Sequence, residues 1–486
     1  MRFSELFREV EFDGSIKNDA DINFVTDDSR LVRPGSLFVC IRHRSFDGHT
    51  AALNALASGA AAVVTQDGLG LENELHVADS RSAYARLCAA LCGHPERKLR
   101  MIGVTGTNGK TTVTALIRNI LSDLGTKTLL TGTVCNRLGD ENLPSGLTTP
   151  KPPELYSLLS RAVSQGCQAC VMEASSQALA QGRLEGIDFD AAVFTNITRD
   201  HLDYHGTFEN YLSAKKKLFE HSAVSIVNLD DPCAGEIIAA AKGKIITFST
   251  VIDCADYTAK NLSLLSDCVH FELVSKGHIE HIEFASPGLF SVSNAMAAAV
   301  CAINLGIEPK DAAQSLAKSK SVCGRLERVE CSAPYSVIID YAHTPDGLEQ
   351  VLRALRPSCR GKLIVLFGCG GDRDRTKRPL MGTAACKYAD KIIVTSDNPR
   401  SEDPIKIIGD ILKGTDKKRR DLFVEPDRRE AIALALKTAE PGDTVLLAGK
   451  GHEKYQLIGG EKLPLDERET IREILGLPHD TGRKKQ

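Results

Sequence analysis

Apolar and polar positions along the 486-residue chain follow two periods, and the switches between them mark out its organisation. Near the N-terminus Ser36-Leu37-Phe38-Val39-Cys40-Ile41 predicts a strand, the Ala/Leu-rich stretch 51–58 a helix, and 61–65 another strand. A helix is predicted over 81–92, and His94-Pro95-Glu96-Arg97-Lys98 reads as a polar linker carrying a breaker. Beyond it, Met101-Ile102-Gly103-Val104 is an apolar strand running into a glycine-rich turn and a helix over 111–124. Apolar strands at 169–172, 191–194, 225–229 and 244–248 alternate with helical segments, which implies a mostly parallel sheet covered on both faces. Between 257 and 285 the period becomes two, as in His270-Phe271-Glu272-Leu273-Val274, and predicts an antiparallel extension of that sheet. Helix returns over 294–305. From Glu327 onward, apolar runs at 337–339, 363–367, 392–394 and 445–447 are separated by helical stretches, again a doubly wound pattern. The expected fold class is α/β in three domains. These are 1–98, a central parallel-sheet domain at 99–326 with an antiparallel extension, and a Rossmann-like domain at 327–486.

Length agrees with three domains at roughly 150 residues each. Apolar residues make up 42% and charged residues 25%, the balance of a globular chain. Sixty basic and 63 acidic residues leave a net charge of −3, which argues against a nucleic-acid binder. Trp is absent and aromatics are only 5%, so base-stacking or sugar platforms are disfavoured. The fifteen cysteines are odd in number and scattered, which points to a reducing cytosol rather than a disulfide framework. Cys167-Gln-Ala-Cys170 is a lone CxxC leading into Val171-Met172, and reads as core thiols rather than a metal site. Met1-Arg2-Phe3-Ser4-Glu5 has no long apolar stretch behind it, so it is not a signal peptide. No window reaches 18 uninterrupted apolar residues, so no membrane span is expected. Nothing suggests a repeat or an oligomeric ring, and a cytoplasmic monomer is expected.

Candidate chemistry centres on Gly103-Val104-Thr105-Gly106-Thr107-Asn108-Gly109-Lys110-Thr111-Thr112, which follows a strand and opens a helix. That is the context of a P-loop: backbone N–H groups cradle phosphate oxygens and the helix N-terminus adds positive potential. Lys110 is placed for the β/γ-phosphates and the Thr111 hydroxyl for Mg²⁺. The strict pattern has Gly where this chain has Val104, so Gly103, Gly106 and Gly109 form a variant loop. The loop predicts nucleotide binding without specifying the reaction.

The segment Thr105–Thr112 also resembles the ATP loop of the Mur ligases, ATP-dependent amide-bond ligases that build the peptide stem of bacterial peptidoglycan. Further segments resemble the family in order along the chain. They are Thr26-Asp27-Asp28-Ser29-Arg30, Met172-Glu173-Ala174-Ser175-Ser176, Asn196-Ile197-Thr198-Arg199-Asp200-His201-Leu202-Asp203-Tyr204-His205-Gly206 and Asp340-Tyr341-Ala342-His343-Thr344-Pro345-Asp346. Gly368-Cys369-Gly370-Gly371-Asp372-Arg373-Asp374 and Asp397-Asn398-Pro399-Arg400 are similar to the members that add meso-diaminopimelate to UDP-N-acetylmuramoyl-L-Ala-D-Glu. The resemblance implies attack of a substrate carboxylate on the γ-phosphate of ATP. An acyl phosphate results, which an amine then attacks. Such a site brings anions together, so it needs cations and aligned N–H dipoles more than a nucleophilic side chain.

Read alone, Glu173 ends a buried strand and faces a strand-end crevice, or caps the helix that Ser175-Ser176 begins. His201, between Asp200 and Asp203, is a metal ligand or a turn histidine. Lys215-Lys216-Lys217 in a helix over 209–220 reads as a solvated face, yet successive residues point about 100° apart and cannot all face one way. The resemblance makes Thr111, Glu173, His201 and Lys215 ligands of two Mg²⁺ ions, with Lys215 carbamylated by CO₂ to N6-carboxylysine. It also places Asn294, Arg325 and Asp340 with Gly106, Thr107, Asn108, Gly109, Lys110, Thr111 and Thr112 around ATP. Asp27, Ser29, Arg44, Ser45 and Phe46 are carried to the uridine-nucleotide pocket, and Thr148, Thr149, Ser175, Gln181 and Arg183 to the rest of that substrate. Arg373, Asp397, Asn398, Pro399, Arg400, Gly449 and Glu453 are carried to diaminopimelate. Arg400 taken alone reads equally as a surface partner of Glu402 or Asp403. Rival readings are a lysine-adding member, a folylpolyglutamate synthetase on the same fold, and a P-loop motor. A motor predicts an apolar strand ending in Asp, where 169–173 ends in Glu.

Overall fold

The computed structural model describes residues 1–14, 19–43, 46–416 and 419–478. Its first sheet has five short strands: β1 (Asp13–Gly14), β2 (Phe24–Thr26), β3 (Ser36–Val39), β4 (Ala60–Thr65) and β5 (Glu74–His76), in the order 1-5-4-3-2. The helix Ser80–Leu91 packs beside it, capped by Asp79, whose carboxylate accepts the N–H groups of Arg81 and Ser82. The expected linker after it forms a 3₁₀ turn, Pro95–Lys98, with Pro95 and Glu96 buried and Arg97 and Lys98 exposed. The Glu96 carboxylate turns inward with a partner, its Oε1 lying 2.9 Å from His94 Nδ1. One apolar core runs from this sheet into the next unit through Tyr84, Leu87, Tyr156 and Leu159.

The central sheet contains β6 (Arg100–Thr105), β7 (Thr128–Thr131), β8 (Asn136–Leu138), β9 (Glu141–Leu143), β10 (Ala169–Glu173), β11 (Phe189–Phe194), β12 (Ser222–Asn228), β13 (Lys244–Ser249), β14 (Tyr257–Leu264), β15 (Val269–Ser275) and β16 (His278–Phe284). The order is 16-15-14-13-12-11-6-10-7-8-9. Strands 7, 10, 6, 11, 12 and 13 run parallel, as the strand–helix alternation predicts for all but β7, which the sequence did not mark. The expected antiparallel extension is β14–β16. A second one, β8–β9, sits on the opposite edge, where three-residue strands carry too little pattern to announce themselves. Apolar clusters cover both faces of the parallel part, and Cys167 and Cys170 lie in one of them as core thiols.

The last sheet comprises β17 (Glu327–Val329), β18 (Ser336–Asp340), β19 (Leu363–Phe367), β20 (Lys391–Val394), β21 (Leu422–Val424) and β22 (Thr444–Ala448), in the order 17-18-22-19-20-21, with only β17 antiparallel. A hairpin, β23 (Tyr455–Ile458) and β24 (Glu461–Pro464), follows. The carboxyl ends of the central strands and of β18, β20 and β22 face one crevice. A parallel sheet offers its ligand-binding loops at those ends.

Candidate active site

The loop after β6 opens the helix Lys110–Asp123 through Gly109 at φ +87°, a backbone state an L side chain strains to adopt. A side-chain carbon at Gly106 would run into Thr195 Oγ1, so the loop must approach that residue closely. Thr195 Oγ1 donates to Asn108 O at 2.6 Å, and Asn196 Oδ1 accepts the Asn108 N–H at 2.9 Å. Lys110 Nζ folds back on the loop, donating to Gly106 O (2.8 Å) and Thr107 O (3.0 Å).

Two cavities meet at this loop, and a third adjoins one of them. One of about 390 Å³ lies between the central and last units, lined by Asn108, Gly109, Thr112, Asn294, Arg325 and Asp340 among others. The Asp340 carboxylate is occupied by the backbone N–H groups of Leu326 and Ala342, each at 2.7 Å. It therefore fixes the turn around Arg325, with one further acceptor position left on each oxygen. A second cavity, about 180 Å³, is lined by Gly106–Thr111, Glu173, His201, Lys215, Thr148, Thr149, Ser175 and Arg183. The third, about 170 Å³, is lined by Arg373, Asp397, Asn398, Arg400, Gly449 and Glu453, together with Asp200, Asp203 and Lys377. Asp200, His201, Tyr341 and His343 line both the second and the third, and Tyr341 lines all three.

In the second cavity Glu173 is buried at the end of β10. Its Oε2 accepts the Thr111 and Thr133 hydroxyls at 3.1 and 3.0 Å, and its Oε1 accepts the Thr133 N–H at 2.8 Å. It does not cap the next helix; Ser175 does, accepting from the Ala178 N–H. Lys215 overturns the solvated-face reading. It is only 1% exposed, donates to Gly106 O at 2.8 Å and sits 4.6 Å over the Tyr211 ring. Lys216 reaches Glu236 at the surface and Lys217 is exposed. The helix Phe208–Glu220 buries Tyr211, Ala214, Lys215, Leu218 and Phe219, so the i, i+3, i+4 apolar spacing around Lys215 is the signal that singles it out. Burial pushes the Lys215 ammonium well below its ordinary value, and the nearby Lys110 charge adds to this. Burial likewise lowers Lys110, with Arg325 repelling it and Glu173 opposing the shift.

His201 takes φ +53° ahead of the short helix Leu202–His205, so it is a turn residue whose ring nonetheless lines the cavity. Burial holds its imidazole at about 4 against the pull of Asp200. Burial works to raise the Asp200 carboxyl, but His201, His343 and Lys377 outweigh it and hold it at about 2. Asp200, Tyr341 and His343 carry no periodic signal; only their place in the resembling segments marked them.

Oxygen donors suit a hard divalent cation, and Thr111 with Glu173 supplies two of them side by side. Among the described residues no group of three or more His, Cys, Asp or Glu gathers at metal spacing. The predicted set reaches four only by including Thr111 and Lys215, which share the cavity with Glu173 and His201. The neutral-leaning buried amine of Lys215 fits conversion to a carboxylate-like donor, and as an ammonium it fits no cation.

Arg400, at φ +54° after β20, donates through Nη1 to Gly371 O at 2.7 Å. The alternative partners are engaged elsewhere. Glu402 pairs with Arg378 at 2.8 Å and Arg375 at 3.1 Å, and Asp403 caps the helix Pro404–Leu412. Burial and the neighbouring Arg373 charge lower the Arg400 guanidinium, as expected where two cations await an anion.

The substrate residues of the first unit are less gathered. Asp27 accepts from Tyr84 (3.1 Å) and pairs with Lys151 of the central unit (3.3 Å). Ser29 is half-buried and Phe46 exposed, while Arg44 and Ser45 lie outside the described residues. None of the three cavities is lined by Asp27, Ser29 or Phe46. Gln181 accepts from Arg183 Nε at 2.9 Å, and Arg183 Nη1 donates to Thr149 O at 2.7 Å, so these hold one another at the second cavity's rim.

Family models match the chain in three segments: the Mur ligase catalytic domain over residues 21–88, the Mur ligase middle domain over 104–302 and the Mur ligase glutamate ligase domain over 324–451. A UDP-N-acetylmuramoyl-L-alanyl-D-glutamate–2,6-diaminopimelate ligase of Syntrophomonas wolfei is 43% identical, over 98% of this chain and 99% of its own. The corresponding ligase of Caldanaerobacter subterraneus is 42% identical over the same shares. A solved structure of a ligase of that name superposes with a TM-score of 0.71 at 36% identity, covering 98% of this chain and 99% of that one. With such identity sustained along almost its whole length, the chain belongs to the Mur ligase family.

Proposed function

We propose that this protein is an ATP-dependent ligase that joins meso-diaminopimelate to the D-Glu carboxylate of UDP-N-acetylmuramoyl-L-Ala-D-Glu, in the cytoplasm, as a step of peptidoglycan synthesis. The observation that carries the reading is a run of three adjoining cavities, two of them lined by the phosphate loop and all three by Tyr341. The nucleotide cavity shares Asn108, Gly109, Arg325 and Tyr341 with the second cavity, and the second shares Asp200, His201, Tyr341 and His343 with the third. ATP, an acceptor carboxylate and an incoming amino acid then have adjoining places. We assign domain limits of 1–98, 99–326 and 327–486 to the nucleotide-precursor, ATP and amino-acid parts, and expect the enzyme to act as a monomer.

In this reading the loop N–H groups and Lys110 hold the β- and γ-phosphates, with Arg325 on the opposite wall. Lys110 gives up its contacts to Gly106 O and Thr107 O for phosphate oxygens. A substrate carboxylate oxygen attacks the γ-phosphorus and ADP leaves. The amine of diaminopimelate then attacks the acyl carbon, and phosphate leaves from the tetrahedral intermediate. Glu173, Thr111, His201 and carbamylated Lys215 would hold Mg²⁺, which when bound neutralises phosphate charge. Lys215 becomes a carbamate when its neutral amine forms an N–C bond to CO₂ and releases one proton. Asp200 keeps His201 and His343 oriented at the passage between the second and third cavities, at 3.4 and 4.0 Å.

Phosphate release tests the assignment, with purified protein, ATP, Mg²⁺, the UDP-linked dipeptide and candidate amino acids added singly. Release that depends on meso-diaminopimelate is expected. Release without amino acid, or equal release with L-lysine, would refute it.

A further inference from the structure

The third cavity has a buried cation behind its wall. Lys450 follows β22 and its side chain is 0% exposed. Its Nζ donates to Asn398 Oδ1 at 2.9 Å and to Glu453 Oε2 at 2.7 Å. Asn398 Nδ2 donates to the same Glu453 oxygen at 2.9 Å, and Asn398 Oδ1 also accepts the Leu457 N–H at 2.9 Å. These four bonds leave one orientation for each group. The Asn398 amide cannot flip without setting its NH₂ against the Lys450 ammonium and the Leu457 N–H. Glu453 has Oε2 saturated, while Oε1 takes no hydrogen bond among the described residues and belongs to a residue lining the cavity with Asp397 and Arg400.

A carboxylate facing a cavity that also holds Arg373 and Arg400 would otherwise swing to the nearest guanidinium and cancel it. Lys450 prevents this by holding the far oxygen from inside. A buried ammonium needs such a pairing itself, so the arrangement is mutually required. We infer that Lys450 is a positioning residue for amino-acid selection, holding Glu453 and Asn398 so that one carboxylate oxygen meets the far-end ammonium of an amino acid while the arginines stay free for its far-end carboxylate. The inference rests on the third cavity being the amino-acid site. It predicts that a ligand lacking either far-end charge leaves one of these groups unpaired, which a preorganised polar site rejects strongly.

A double-mutant cycle on the full-length enzyme decides the matter, reading KM for meso-diaminopimelate, KM for ATP and kcat. Lys450→Met should raise KM for diaminopimelate at least tenfold, with KM for ATP unchanged and kcat within about threefold. Because Lys450 acts through Glu453, Lys450→Met combined with Glu453→Gln should be no worse than Glu453→Gln alone. Should the Met variant fail to fold, Lys450→Arg, which keeps the charge but displaces it, is expected to raise the same KM. An unchanged diaminopimelate KM, multiplying effects in the double variant, or KM for ATP rising in step would overturn the inference and leave Lys450 a structural clip. Wild-type phosphate release independent of diaminopimelate would instead remove the functional reading beneath it.

Discussion

Replacing Arg400 by alanine isolates the charge on which amino-acid choice depends. Diaminopimelate and lysine share a chain length and an attacking amine, and differ by one far-end carboxylate. Arg400 spends one Nη1 hydrogen on Gly371 O. Arg400 and Arg373 both line the cavity, Arg373 Nη1 donating to Asp372 O at 3.0 Å, while Glu402 and Asp403 are held by Arg378, Arg375 and a helix N-terminus. A guanidinium pairs with a carboxylate through two parallel bonds, each to a charged group and worth about 1.5–3 kcal/mol. With Arg373 retaining part of the interaction, a net loss of about 3 kcal/mol is expected. At about 1.4 kcal/mol per tenfold, KM for diaminopimelate should rise on the order of 100-fold. The structural cost is the Gly371 bond, about 1 kcal/mol, which thermal unfolding would register as a small shift. Steady-state phosphate release against diaminopimelate concentration measures the effect, with KM for ATP as control. A KM within threefold of wild type would refute the assignment, as would a variant that had become an efficient lysine ligase.

Three further outcomes follow from the same geometry. Lys110→Met should abolish phosphate release while circular dichroism stays unchanged, because its bonds to Gly106 O and Thr107 O are local to the loop; normal turnover would dismiss the phosphate role. Lys215→Ala should be nearly inactive and partly restored by short carboxylic acids, and intact-mass spectra of active, bicarbonate-replete protein should show added CO₂. An unmodified lysine in such a sample would contradict it. Glu467→Gln should destabilise the last unit by about 3–5 kcal/mol, since it strands the wholly buried Arg428, whose Nε pairs with Glu467 at 2.8 Å; urea unfolding within 1 kcal/mol of wild type would show the pair to be dispensable.

The fold was legible where burial is two-sided. Strands such as β10 and β19 are near-continuous apolar runs because both faces are covered, and sequence placed them within one residue. Short strands such as β8 and β9, whose residues include Asn136, Glu141 and Asn142, have neither length nor period and escaped. Of the site, the P-loop declares itself because its glycines are dictated by backbone geometry. Lys215 was hidden by composition: three successive lysines suggest solvent, and only the registers of Tyr211, Ala214 and Leu218 reveal which one points inward. Pattern put Arg400 at a strand end just past 392–394 but could not name its neighbours, and Lys450 was not marked, since both sit in loops whose meeting depends on the order of β20 and β22 in the sheet.

That last dependence has a physical anchor. Arg428 donates to Ser396 O at 3.0 Å, just past β20, and to Ala448 O at 2.9 Å, the final residue of β22. These strands are not neighbours; β19 lies between them. One guanidinium thus ties together the roots of the loop carrying Asp397–Arg400 and the loop carrying Gly449–Glu453. Its own charge is balanced by Glu467 from a third segment. The third cavity is therefore framed by long-range charge pairing as well as by the bonds within its own loops. The Lys110 and Lys215 amines are held differently: both donate to carbonyl oxygens of the same glycine-rich loop, the Lys110 charge lowers Lys215, and among the described residues no carboxylate hydrogen-bonds to either. Two buried amines beside one such loop leave positive charge unbalanced within the chain, which is what a site that receives anions requires.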